Sequence, residues 1–383
     1  MKIRGPFLLF CALALAGCGR GGGGQDVVIG VAGPLARPNG RSMKLAAEMA
    51  VAEINAAGGV DGRDLRIEWG DDEADAGKAI DVARRLRANP EVVAVVGHVN
   101  SAASREAAKI YNAVDNDSVE GDPVVEVSPA SSAPELSQAG EWTFRVTPTD
   151  LEFAPKLADW ALGRLGSRRA AVLYANDAYG QGVKEGFLAS FRRGGGTVVS
   201  ADPYLPAMFT ADDALDPFLR RALSRGADAL VIGGQAAEGT KIIAAARRLG
   251  YTGPILGSDG LTGVKDAGAV AEGVFISSAF LPDRPNERTQ KFVGDYQRRF
   301  GELPDHRGAM AYDVIYLLRE AIRRVGTDRA AIRGYLARVG AEGGHPPFEG
   351  VSGTVRFDQN GDAVGKEVSV GVVRGGRLVT AAR

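Results

Sequence analysis

From Asp26 onward, short apolar runs rich in β-branched residues alternate with amphipathic segments, the pattern of an α/β protein with parallel sheets. Val27 to Ala32 is the first predicted strand, closed by Gly33-Pro34. A helix follows over 42–57, with Met43, Ala46, Ala47, Ala50 and Ile54 on one face and Gly58-Gly59 as its stop. A strand at 65–69, a helix at 75–89 ended by Pro90, and a strand at 92–96 continue the alternation. After a strand at 143–147 and a helix over 150–165, a second series begins. Its strands are predicted at 170–174, 197–204, 229–232, 254–256 and 274–278, with helices over 182–193, 215–225 and after Gln235. Two such series predict two doubly wound, Rossmann-like lobes with a ligand crevice between them. Beyond Phe280 the pattern turns helical at 286–300, 308–325 and 328–339. The tail is antiparallel in character, with hairpin turns at Asn360-Gly361 and Gly375-Gly376.

Two strand ends carry short hydroxyl side chains. The run Val92 to Val96 is followed by Gly97-His98-Val99-Asn100-Ser101, so Ser101 falls where a helix begins. In an open α/β sheet, ligands bind beyond the carboxyl ends of the strands, and a helix N-terminus there offers free N–H groups to an anion. Ser101 is therefore a candidate partner for a ligand carboxylate, although a Ser there also serves as a helix cap. The second such turn is Ser128-Pro129-Ala130-Ser131-Ser132.

Composition narrows the class. Lys2 and Arg4 precede an apolar run from Phe7 to Ala16, which reads as a secretory signal too short to span a bilayer. It ends in Leu15-Ala16-Gly17-Cys18, a tetrapeptide similar to the bacterial lipobox. That likeness implies cleavage after residue 17, lipidation of Cys18, and a Gly-rich tether over 18–25. Cys11 lies within the signal, so no internal disulfide is expected in the exported chain. There are 46 basic and 47 acidic side chains; without Lys2 and Arg4 the balance is 44 to 47, a net charge of −3. That balance argues against nucleic acid and against attraction to an anionic membrane.

Several motifs then fall in one order: Ile29-Gly30-Val31-Ala32-Gly33-Pro34, Glu53-Ile54-Asn55-Ala56-Ala57-Gly58-Gly59-Val60, Asp71-Asp72, Val96-Gly97-His98, the run Ser128 to Leu136, Ala178-Tyr179-Gly180-Gln181-Gly182, Gly257-Ser258-Asp259-Gly260, and Phe357-Asp358-Gln359-Asn360-Gly361-Asp362. With these the chain resembles the bacterial leucine/isoleucine/valine-binding proteins, the type I periplasmic substrate-binding proteins of ABC transporters, over nearly all of 26–373. The resemblance implies a monomeric, lipid-anchored extracytoplasmic protein that captures a branched-chain or similar amino acid and passes it to the permease subunits of an importer. Neither cofactor nor metal is implied. It assigns the ligand α-carboxylate to Ser101 and Ser132 with backbone help at Ala130, the α-ammonium to Asp259, and the covering wall from the second lobe to Tyr179. It also implies three crossings between lobes: 26–147 plus 281–352 in one, 148–280 plus 353–383 in the other.

Three departures from the family pattern matter. Gln235 stands at an often aromatic position, which makes that wall of the side-chain pocket more polar. Ala74 and Asn100 align where some members have a cysteine pair. The stretch 114–122 resembles an insertion; its Asp115, Asp117, Glu120 and Asp122 lack the Gly and terminal Glu spacing of a calcium loop and read as an acidic solvated loop. An enzyme is the first rival, but there is no G-x-G-x-x-G after the first strand, no G-x-x-x-x-G-K-[ST] and no G-x-S-x-G, and His98, His306 and His345 are scattered. A ligand sensor, for amides or other small polar solutes, is the second.

Overall fold

The computed structural model describes residues 25–114, 119–209, 211 and 213–382; the predicted signal, Cys18 and the tether up to residue 24 lie outside the described residues. The first sheet contains β1 (Val27–Gly33), β2 (Leu65–Asp71), β3 (Val92–Val96), β4 (Glu126–Ser128) and β5 (Thr143–Arg145), in the order β2-β1-β3-β4-β5 and all parallel. Successive strand side chains point to opposite faces. Val27, Ile29 and Val31 accordingly enter one core, and Val28 and Ala32 the other. Helix α1 (Pro38–Ala56) covers the first face, and α2 (Ala76–Ala88) and α3 (Ser101–Tyr111) the second. Helix α1 starts four residues before the predicted 42, because Pro38 fits a first turn whose N–H groups have no partner in any case.

The second sheet repeats the design. Helix α4 (Asp150–Gly163) leads into β6 (Arg169–Ala175), α5 (Ala178–Arg193), β7 (Thr197–Tyr204), α6 (Asp216–Ser224), β8 (Ala229–Gly233), α7 (Ala236–Arg248), β9 (Ile255–Gly257) and β10 (Phe275–Ser278). The alternation holds here too: Ala170, Val172 and Tyr174 pack with Leu157, Phe187 and Phe191 of α4 and α5, whereas Ala171, Leu173 and Ala175 face α6 and α7.

Past β10 the chain returns to the first lobe. Helices α8 (Glu287–Phe300), α9 (His306–Val325) and α10 (Arg329–Leu336) and the hairpin β11 (Phe348–Gly350) and β12 (Gly353–Val355) follow. Met310, Val314, Ile315 and Leu318 of α9 complete the core over β1. The chain then adds β13 (Ser369–Arg374) and β14 (Arg377–Thr380) antiparallel to the edge at β10, joined at Gly375-Gly376 as predicted, which gives β14-β13-β10-β9-β8-β6-β7. Asn360-Gly361 makes a tight turn closed by a single bridge between Phe357 and Ala363, not a hairpin between strands.

The last crossing falls later than residue 352. Val355 and Phe357 belong to the first core, where Phe357 meets Phe144 edge-on at 5.1 Å between ring centroids. Asp362 binds the buried Arg145, Oδ1 to Nε at 2.6 Å. A buried guanidinium needs a carboxylate, and Asp362 is the one that reaches it. In the acidic loop, Asp115 and Asp117 lie outside the described residues, while the carbonyls of Gly121 and Asp122 accept from Arg87 and Arg329 at 2.7 Å.

Removing one member of a buried ion pair is costly because its partner stays desolvated. Asp362→Ala is therefore expected to lower the unfolding free energy by about 3–5 kcal/mol, read by equilibrium urea denaturation.

Candidate functional site

The carboxyl ends of both sheets face each other across a closed cleft. One small cavity lies there, lined by Val99, Ser101, Ala130, Tyr179, Gln235, Asp259, Gly260, His306 and Arg307, with about 10 Å³ of free space. That is room for a single water, less than a solute of amino-acid size needs.

Ser101 is the first residue of α3, and the turn before it is fixed by Gly97, whose φ is +145°. A Cβ there would stand 2.2 Å from the Ala32 carbonyl oxygen, so only glycine fits. Ser101 Oγ accepts from the Ala133 N–H at 3.2 Å, which leaves its own proton to donate. Ser128 Oγ accepts from the N–H groups of Ala130 and Ser131 and donates to the His98 carbonyl, so the two polar turns are bolted together. His98 itself is buried between Asp72, at 2.6 Å, and Tyr111, which makes it structural.

From the second lobe, Asp259 follows β9 and is 2 % exposed. Its Oδ1 accepts from Tyr179 Oη at 3.0 Å and from the Gly260 N–H at 3.0 Å. Tyr179 Oη accepts in turn from the Gly260 N–H at 2.7 Å, and a Cβ on Gly260 would stand 2.5 Å from that oxygen. Burial first, and then the charge of Asp259, push the Tyr179 phenol well above its usual range. It therefore stays a hydrogen-bond donor.

Five of the six residues picked from sequence, Ser101, Ala130, Tyr179, Gln235 and Asp259, meet at this cavity. Ser132 does not. Its Oγ is fully buried beside the Asp150 carboxyl that it partly stabilises, but without a well-formed hydrogen bond among the described residues. Burial, then the charge of Asp259, raise the Asp150 carboxyl well above the ordinary carboxylate range, which favours its protonated form.

Sequence reasoning missed His306 and Arg307, because it started the long helix at Gly308. Asp305 is the signal that could have corrected this. Its carboxylate caps the N–H groups of Arg307 and Gly308 at 2.9 and 3.1 Å and so draws two more residues into α9. Burial would raise the Asp305 carboxyl, but the charges of Arg307 and His306 outweigh it and hold it below its ordinary value. His306 lies 3.5 Å from Asp259 Oδ2, and burial, then Arg307, push its pKa down to about 4.

The chain belongs to the periplasmic binding protein family, whose profile matches residues 27–377. It is a substrate-binding protein of the ABC-transporter kind, which works outside the cytoplasm, and not an enzyme. It is 28% identical over 284 residues to the Leu/Ile/Val-binding protein of Escherichia coli K12, covering 72% of this chain and 74% of that one. Its fold superposes with a TM-score of 0.78 and 33% identity on an ABC transporter substrate-binding protein from Desulfitobacterium hafniense in complex with Leu, over 93% of this chain and 100% of that one. A leucine binding protein from Thermotoga maritima gives a TM-score of 0.82 at 28% identity, over 93% and 98%.

Because the folded pKa of His306 lies below the unfolded one, the unfolded chain takes up protons first, and stability is lost as pH falls from about 6.5 towards 4. Other buried acids titrate too, so the comparison is with His306→Gln. Relative to that variant, the parent is expected to lose up to about 3 kcal/mol across this window, measured by denaturant unfolding at stepped pH.

Proposed function

We propose that the chain is a lipid-anchored, extracytoplasmic solute-binding protein that captures an amino acid between its two lobes and delivers it, as a monomer, to the permease subunits of an ABC importer. The observation that carries this reading is the placement of a donor for an anion and a partner for a cation on opposite walls of one cavity. Ser101, at the start of α3, offers its hydroxyl proton and the N–H groups of a first helical turn to a carboxylate. Asp259 has Oδ1 held by Tyr179 and Gly260, while Oδ2 has only the long 3.5 Å contact to the neutral His306 and can accept from an ammonium. A zwitterion taken from water needs both.

Closure follows from the same division. The walls belong to different sheets joined by crossing segments, so the lobes rotate apart and together around the solute with little change inside either. Leucine-binding relatives make leucine the natural reference ligand. Anchoring rests on the tetrapeptide ending at Cys18 and the Gly-rich stretch behind it.

Asp259→Ala strands the ligand ammonium without a partner in a dry cleft. Affinity for every amino acid that binds is expected to fall about 30-fold to several thousand-fold, equivalent to roughly 2–5 kcal/mol, by calorimetry. Unchanged affinity would remove the amino-acid reading. For the anchor, Cys18→Ser is expected to yield protein released from the membrane fraction, with mass spectrometry of the parent finding acyl chains on Cys18; an unmodified or absent Cys18 contradicts it.

A further inference from the structure

Arg307 is 4 % exposed and lines the cleft from the first turn of α9, within reach of the second lobe. A guanidinium has five N–H donors in a fixed plane. Here Nη1 spends its two on Asp305 Oδ2 and Thr262 Oγ1, each at 3.0 Å. Nη2 makes one long contact to Gln235 Oε1 at 3.4 Å, and Nε has no hydrogen-bond partner among the described residues. On the side of the guanidinium formed by Nε and Nη2, one donor is thus without a partner and the other is only weakly engaged by Gln235, and these two make the fork that grips a planar acceptor. A buried charged donor without a partner is costly, which an aliphatic side chain lying against it would make permanent.

Charge decides what kind of acceptor fits. The Asp305 carboxylate already balances Arg307, and His306 is neutral above about pH 4. Asp259 and the ligand ammonium form a second balanced pair under the proposed function, and the ligand α-carboxylate is met by the neutral donors at Ser101. A side-chain carboxylate would bring an extra buried charge with no counterpart, whereas a carboxamide oxygen satisfies the fork without one. Gln235, beside it, can meet the N–H₂ end of such a group through its own amide.

We propose that Arg307 and Gln235 form a subsite for a neutral, planar acceptor, so that the captured amino acid carries a carboxamide side chain of the glutamine kind in place of an aliphatic one. The proposal rests on the amino-acid reading of the site and deepens it.

Calorimetry on the full chain with L-glutamine, L-asparagine, L-leucine and L-glutamate tests it. Glutamine or asparagine is expected to bind at least about 100-fold more tightly than leucine, because a site built to hydrogen-bond rejects a ligand that leaves its donors unpaired. Glutamate is expected to bind more weakly than glutamine. In Arg307→Leu the ratio of amide to leucine affinity should collapse towards one. Should that variant misfold, Arg307→Lys keeps the charge but not the fork and should reduce the ratio about tenfold or more. If leucine binds as tightly as the amides, or the ratio survives in both variants, the subsite assignment is overturned while the amino-acid function stands. Glutamate ahead of glutamine overturns the neutral-acceptor assignment alone. If no α-amino acid binds, both readings fall together.

Discussion

One fully buried guanidinium holds the floor of the cleft in place. Arg145, at the end of β5, binds Asp362 through Nε, and its Nη1 donates to the carbonyl of Ala133 at 2.7 Å and of Ser131 at 3.3 Å, while Nη2 donates to Ser137 Oγ. These acceptors lie on the polar loop after β4 and on the segment that leads back to the second sheet. Arg145 therefore clamps the loop carrying Ala130 and the crossing segment against one strand end. Without that clamp, Ala133 would not be positioned to hold the Ser101 hydroxyl, and the anion side of the site would lose its geometry.

The cleft divides its electrostatics in an orderly way. Ionic groups come in adjacent pairs or stand ready to pair, as with Arg307 beside Asp305 and Asp259 beside Tyr179. Groups that burial would leave as lone charges are instead pushed toward neutrality, Asp150 upward and His306 downward. The result is a surface between lobes that is polar but carries little unbalanced charge.

Much of the fold was legible because it depends on local pattern. The longer buried strands β1, β3 and β8 were announced by β-branched runs, and Ser101, Gln235 and Asp259 each stand in a turn that follows a strand end, where topology alone puts ligand contacts. What was not legible depends on distant pairings. Arg307 reaches the cleft only because α9 packs over the first sheet, and Phe357 and Asp362 stay with the first lobe because partners two hundred residues earlier, Phe144 and Arg145, require them. That Ser132 neighbours Asp150 was illegible for the same reason, since Asp150 belongs to the helix that opens the second series.

The late return of the chain to both lobes has a consequence for synthesis. The first core is closed by α9, and the second sheet gains β13 only after the whole segment from Ala279 to Val368 has been made. The first core cannot close before α9 is made, and until β13 is made the second sheet ends at β10, whose outer edge carries no strand. During that interval the open edge of β10 is the place where an unfinished chain can pair with a neighbour instead of with itself.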